Sequence, residues 1–423
     1  MDFKRMTRGG ACPCGRVHTC TIRDIAVGDG VINELPALFS DFLRILLVAD
    51  ENTYQAAGAR VHELLENRVF DAVVFDGTPH LVPDERAIDR VSAALTDADL
   101  ILGVGSGVIQ DLCKYVSKVT GVPYAVVATA PSMDGYASDG AAMVLGGMQV
   151  TVPAGLPIAI VADTAVMANA PADMIAAGYG DIVGKYSALA DWRLAEIVTG
   201  EYLCPTVFDA TLNIVNRTVA VADAIRNHEK GALAVLCDAL IAVGILMSYV
   251  NSSRPASGSE HHLSHFFKIT GLLAGREYLP HGIDVAGATV LTTRLREVLL
   301  AADWRKAIPA SYGEAYREGL ARVLTSITDD CIALQEKHGR YADADARRAT
   351  YLEKETEIRK ALAEMPSSVE IADYLTRGGI APDVLVEFYG EAVVRDAIRY
   401  AKELKDRYTV LWVAHDLGIY GDL

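Results

Sequence analysis

Leu100-Ile101-Leu102-Gly103-Val104-Gly105-Ser106-Gly107-Val108-Ile109-Gln110-Asp111 joins an apolar run to a helical pattern through three glycines. The aliphatic start predicts a short strand over Leu100–Leu102, and the residues after the glycines predict a helix over Val108–Lys118. Glycines at such a turn let the backbone approach a pyrophosphate, and the unpaired N–H groups of the helix's first turn favour an anion. The spacing is not a complete G-x-G-x-x-G, and a glycine-rich turn after a strand also serves simply as a tight turn.

Working outward, the same alternation repeats on both sides. Strands are expected at Thr21–Val27, Leu43–Ala49, Ala72–Phe75, Tyr124–Ala128 and Pro157–Val161. Helices are expected between them at Gly30–Ser40, Asn52–Glu66 and Asp84–Leu95. Continuously apolar strands separated by amphipathic helices imply a parallel sheet covered on both faces, which binds ligands at the carboxyl ends of its strands. Asp50 follows one such strand, where a carboxylate can meet a ribose or cap a helix. Ala141–Leu145 and Met148–Val152 flank Gly146-Gly147 as a β-hairpin, either a cover for a cofactor or a decoration. After Asp163 the grammar becomes helical, with Pro171 suited to a first helical position. The expected architecture is an α/β, Rossmann-like parallel-sheet domain (21–165) followed by an all-α domain (166–423), with a Cys-rich head (1–20). The charged stretches 312–363 and 389–417 read as solvated helical surface.

The totals exclude some classes. A chain of 423 residues with 51% hydrophobic content supports more than one core, and a net charge of −16 opposes a nucleic-acid or membrane-surface binder. Phosphate binding through backbone amides stays open. The start has no apolar signal segment and the seven cysteines are unevenly spread, which suits a cytoplasmic protein. Ala232–Val250 is nearly long enough to span a bilayer, but Asp238 near its middle favours a buried core helix. Cys12, Cys14, His18 and Cys20 offer soft zinc ligands without a standard spacing, so a loosely packed terminus is the preferred reading.

Four of the ten histidines fall between 261 and 281. On a helix starting near Ser259, His261 and His265 share a face, while His262 points about 100° away. Two such imidazoles can aim at a metal ion or a substrate oxygen, or can merely hydrogen-bond to neighbours. Asp181, in Ala177-Gly178-Tyr179-Gly180-Asp181, is costly to bury unpaired and wants either Lys185 or a metal.

These pieces occur in a telling order. Gly105-Ser106-Gly107…Asp111, Thr129-Ala130-Pro131-Ser132-Met133-Asp134-Gly135…Ser138, Ala177–Asp181, Arg254-Pro255-Ala256-Ser257-Gly258-Ser259-Glu260-His261 and His281-Gly282 resemble the signature blocks of sn-glycerol-1-phosphate dehydrogenases. That branch sits within the superfamily of iron-containing alcohol dehydrogenases, glycerol dehydrogenases and dehydroquinate synthases. The resemblance implies a dehydroquinate synthase-like fold. It implies Asp181, His261 and His281 as ligands of one divalent metal, and Asp134, Asp181 and His265 as substrate-contacting, catalytic residues. Cofactor contacts are implied for Asp50, Gly105, Ser106, Gly107, Asp111, Thr129, Ser132 and Ser138. Three features depart from the pattern: Met133 where many relatives carry His, a longer interval from His261 to His281, and Ile283-Asp284 where Glu is common.

The implied reaction is reversible reduction of dihydroxyacetone phosphate to sn-glycerol 1-phosphate by a homo-oligomer. Imidazole favours zinc or nickel over magnesium, with iron also allowed, and Asp50 would repel a 2′-phosphate, favouring NAD over NADP. The rivals are a glycerol or alcohol dehydrogenase, a dehydroquinate-synthase-like cyclase, a metal hydrolase and a non-catalytic protein on the same fold. The cyclase needs several cations, and the blocks hold only Lys185 and Arg254.

Overall fold

The alternation of apolar strands and helices builds one sheet in a computed structural model that describes residues 1–78, 81–146 and 148–421. The chain forms two compact units, residues 1–182 with 216–252, and residues 183–215 with 253–423.

In the first unit six parallel strands stand in the order Asp24–Gly28, Ala159–Asp163, Tyr124–Ala128, Leu100–Gly105, Ile45–Asp50 and Val69–Phe75. The central strands are buried along almost their whole length, which is why their sequences are unbroken aliphatic runs, whereas the edge strand Val69–Phe75 mixes buried and exposed positions. The strand order reverses between Ile45–Asp50 and Leu100–Gly105, so Asp50 and Gly105 end at the topological switch point.

Several boundaries differ from expectation. The strand expected to stop at Leu102 runs to Gly105, because Gly103 and Gly105 stay in register with Val126 and Ala128. A Cβ on Gly105 would lie 2.6 Å from that of Ile109, so the glycine admits the following helix, Gly107–Thr120, close against the strand. The helix expected over Gly30–Ser40 is a 3-10 turn (Val31–Glu34) and a single α turn (Leu35–Leu38), with Pro36 in the first turn. The segment after Asp50 is interrupted by a π turn at Tyr54–Gly58. Gly140–Leu145 and Met148–Pro153 form the antiparallel hairpin, entered through Gly146 at φ +60°; Gly147 lies outside the described residues.

The head is not a loose terminus. The Met1 amine pairs with Asp238 at 2.6 Å, the Tyr249 hydroxyl bonds to the Met6 carbonyl, and the His18 ring stacks on Tyr249 with centroids 5.0 Å apart. Those contacts fasten the head to Lys230–Val250, the one helix long and apolar enough for a membrane by length and composition among the described residues. Most of that helix is buried, as expected, and Asp238 is neutralised by the amine.

Beyond Met167 the described elements are all helical. The long helix Ala172–Thr199 contributes to both units, so the compact units do not follow the change in element type. The second unit is built around an apolar cluster that includes Leu263, Phe266, Phe267, Tyr351 and Trp412. The terminal helix Val410–Leu417 is buried at every residue, correcting the reading of 389–417 as solvated surface. Asp416 explains its polar content: it takes an Arg347 ion pair at 2.7 Å and a Tyr351 hydroxyl at 2.7 Å.

Candidate active site

In the first unit the loop Thr129–Ser138 connects the Gly105–Gly107 turn to Asp181. Ser106 caps the helix Gly107–Thr120, its hydroxyl accepting the Gly107 N–H at 2.7 Å and lying 3.2 Å from the Ser132 hydroxyl. The Thr129 N–H donates to Gly105 O at 3.2 Å. Further along the loop, the Asp134 N–H donates to Asp181 Oδ2 at 3.0 Å. Gly178 makes this approach feasible, since a Cβ there would sit 1.7 Å from Pro131 O. Gly105, Ser106, Thr129, Ser132, Asp134 and Asp181 are thus brought into one connected arrangement.

Asp111 and Ser138 are tied to it by a residue that the motif reading missed. Lys114 is buried; its ammonium donates to Gly140 O at 2.8 Å and Gly135 O at 3.0 Å and pairs with Asp111 at 3.3 Å, with Ser138 Oγ at 3.5 Å. It sits seven residues past Gly107 on the amphipathic helix, where a lysine in an otherwise buried row was the available signal. Met133 folds back so that Sδ accepts the Gly135 N–H at 2.8 Å, and its methyl would be 3.2 Å from a Cβ on Gly107. Asp50 stands apart from the loop in a helix cap: Oδ1 accepts the Thr53 N–H at 2.8 Å and the Asp50 N–H returns to Thr53 Oγ1 at 3.0 Å.

In the second unit the helix Ser259–Leu273 carries His261, His262 and His265, and the helix His281–Ala301 begins with His281. The rings of His261 and His281 meet edge to face with centroids 5.0 Å apart, and His265 reaches His281 at 6.2 Å. The interval between them is taken up by the helix running on to Leu273 and a return through Gly275 at φ +61°, so it does not separate the imidazoles. His261 Nδ1 lies 2.7 Å from Glu260 Oε1, which turns Nε2 toward any ligand, and Ser264 Oγ lies 3.3 Å from His281 Nδ1. Burial raises the Glu260 carboxyl, against hydrogen bonds from the Gly258 and Glu260 backbones and the charge of Lys185. Burial, then the nearby Lys405 charge, holds His265 well below the usual imidazole range, so its ring is neutral. Asp284, where Glu is common, is pushed up to about 8 by burial, with the Tyr389 hydroxyl at 2.9 Å opposing the shift.

With that geometry in hand, the comparisons are specific. Glycerol-1-phosphate dehydrogenase of Bacillus licheniformis, whose name gives NAD(P)+ as coenzyme, is 30% identical over 420 residues, covering 97% of this chain and 93% of that one. The chain belongs to the glycerol-1-phosphate dehydrogenase family. The namesake enzyme of Geobacillus stearothermophilus is 31% identical with 96% of each chain covered, and that of Halalkalibacterium halodurans 34% identical over 81% and 90%. A family profile described as iron-containing alcohol dehydrogenase matches residues 26–171. Among solved structures, sulfoacetaldehyde reductase from Bifidobacterium kashiwanohense in complex with NAD+ matches with a TM-score of 0.60 at 12% identity, covering 96% of this chain and 99% of that one. Maleylacetate reductase from Agrobacterium tumefaciens gives 0.58 at 14%, covering 94% and 96%. At such identities these two establish the fold, an α/β sheet followed by helices, and nothing finer. For a member of the glycerol-1-phosphate dehydrogenase family, the unforeseen residues are the cations of the second unit. Lys405 Nζ lies 3.2 Å from His265 Nε2, while Arg254, noted in the sequence, is committed to an ion pair with Glu201.

Proposed function

We propose that this chain interconverts dihydroxyacetone phosphate and sn-glycerol 1-phosphate, using NAD(P)(H) and one divalent metal. The observation that carries the reading is the pair of facing imidazoles, His261 and His281, with Glu260 orienting the first, in a chain of this family.

Asp181, His261 and His281 are proposed as the metal ligands, each supplying one atom to a carboxylate–imidazole donor set. Such donors suit zinc, nickel or iron better than magnesium, and the ion supplies Lewis-acid polarisation of a carbonyl when bound. Nicotinamide supplies the hydride. The chain's own residues position and insulate: the Gly105–Gly107 turn and Ser132 would hold the pyrophosphate, and Asp50 would take the adenosine ribose, favouring NAD. His265 and Asp134 contact the substrate's oxygens. A neutral His265 can donate to the developing alkoxide without carrying a full charge into the site.

The test is NADH and NADPH oxidation by purified, metal-loaded protein with dihydroxyacetone phosphate, dihydroxyacetone and simple ketones, alongside metal analysis. The reading requires a bound ion and a clear preference for the phosphorylated ketone. Absence of both an ion and turnover with every ketone would favour a silent protein on this fold.

A further inference from the structure

A phosphorylated substrate must find a partner for its phosphate, and the sequence blocks left that partner unassigned. Within the second unit two basic side chains stand beside the histidine helix. Lys405 reaches His265 Nε2 at 3.2 Å. Arg407, two residues on, donates to Ser257 O at 3.1 Å and Ser253 Oγ at 2.5 Å, just before the first turn of the helix Ser259–Leu273. Neither forms an ion pair with a carboxylate among the described residues. Glu260 and Asp406 act on Lys405 only from beyond that range, while burial and the Arg407 charge push its ammonium down to about 7. Burial and Arg254 push Arg407 down to about 10. Two desolvated basic groups with no carboxylate in ion-pair range among the described residues are costly unless an anion joins them. His262, on the same turn, is fully buried with neither ring nitrogen hydrogen-bonded among the described residues, and it feels the charges of Lys405, Arg407 and Arg254.

The geometry points to Lys405 and Arg407 as the phosphate-binding pair of this enzyme. Both side chains can donate charge-assisted hydrogen bonds to a phosphate monoester, whose −1.5 to −2 charge at about neutral pH would in turn hold Lys405 in its protonated form. Lys405 beside His265 puts that phosphate next to the side chain proposed to touch the substrate's reacting end, which is the placement a three-carbon ketone phosphate requires. This assignment rests on the proposed reading of the substrate.

The experiment uses the metal-loaded full chain with NADH, and compares wild type, Lys405→Met and Lys405→Arg. Inorganic phosphate binding is measured in parallel by calorimetry. The expected result is that Lys405→Met lowers kcat/KM for dihydroxyacetone phosphate relative to dihydroxyacetone by roughly 10- to 100-fold, mainly through KM, and weakens phosphate binding similarly. Lys405→Arg restores part of both. A Lys405→Met protein that keeps its substrate ratio and its phosphate affinity overturns the assignment. So does a wild-type protein that binds no phosphate at millimolar concentration, an outcome independent of whether any variant folds. If wild type binds phosphate through Lys405 but turns over no phosphorylated ketone, the anion site stands and the proposed reaction fails.

Discussion

Replacing Gly178 by alanine tests whether the Thr129–Ser138 loop positions Asp181. In an ordinary helix interior this change is favourable by about 1 kcal/mol, because alanine loses less backbone entropy than glycine. Here the new Cβ would fall 1.7 Å from Pro131 O and 2.8 Å from Pro131 C, where real contacts stay beyond 3.0 Å. The obstacle is backbone, so no rotamer change relieves it, and the carbonyl must retreat by about 1.3 Å, the gap between 1.7 and 3.0 Å. Overpacking of that kind costs about 1–3 kcal/mol or more, enough to cancel the helical gain and reverse its sign. The displaced Pro131–Ser132 peptide leads directly into Ser132, whose hydroxyl meets Ser106 at 3.2 Å, and then into the Asp134 N–H, which meets Asp181 at 3.0 Å. A shift of that size in a positioning segment is expected to lower kcat/KM by about 100-fold. Initial rates with NADH and dihydroxyacetone phosphate, together with a urea midpoint, read both effects. A variant with wild-type rates and an equal or higher midpoint would show that the loop is not held as described.

Glu260→Gln should weaken metal affinity about 10- to 100-fold in chelator competition, because the carboxylate that fixes the His261 ring is lost; unchanged affinity would remove Glu260 from that role. Asp50→Ser keeps a helix-capping oxygen while removing the charge, so the NADPH-to-NADH ratio of kcat/KM should rise. A constant ratio would leave Asp50 as a cap alone. Asp284 has a folded pKa of about 8 against an ordinary 3.8, so its neutral form is the one the fold favours. Its contribution is fully present below the unfolded value and is lost as pH rises toward 8, so Asp284→Asn should gain stability over wild type more at pH 8 than at pH 5. Parallel urea curves at those two values, with no pH-dependent difference, would contradict the burial of that charge.

The sheet was legible because buried parallel strands must be apolar on both faces, and Tyr124–Ala128 came out at its expected ends. Gly105 shows the limit: a glycine after a strand reads as its end, yet here it continues the ladder because the next helix needs the space. The facing of His261 and His281 was implied by resemblance, and the helical spacing alone left a metal, a substrate oxygen and ordinary hydrogen bonding all open. Lys405 and Arg407 were illegible for another reason. A lone lysine or arginine signals solvent until tertiary contacts bury it, and Lys405 and Arg407 come from a stretch that carries no motif. The head was misjudged because its ties, Met1 to Asp238 and His18 to Tyr249, span more than 200 residues of sequence.

By net charge alone, −16, the chain is an unsuitable host for two anions, a dinucleotide and a ketone phosphate. Net charge governs the field at a distance, which salt screens over about 10 Å, whereas binding is decided by groups within a few ångströms. On the proposed reading, the dinucleotide's phosphates would meet the N–H groups of a helix capped by Ser106 at the sheet's switch point, partial charges that no residue count records. At the histidine helix the positive groups are few, but burial removes the water that would screen them, as the downward shifts of Lys405 and Arg407 register. An exposed lysine in the same count of charges would give far less. On the proposed reading, the acidic surface and the anion-binding interior are compatible because dehydration, rather than the number of basic residues, sets the strength of the site.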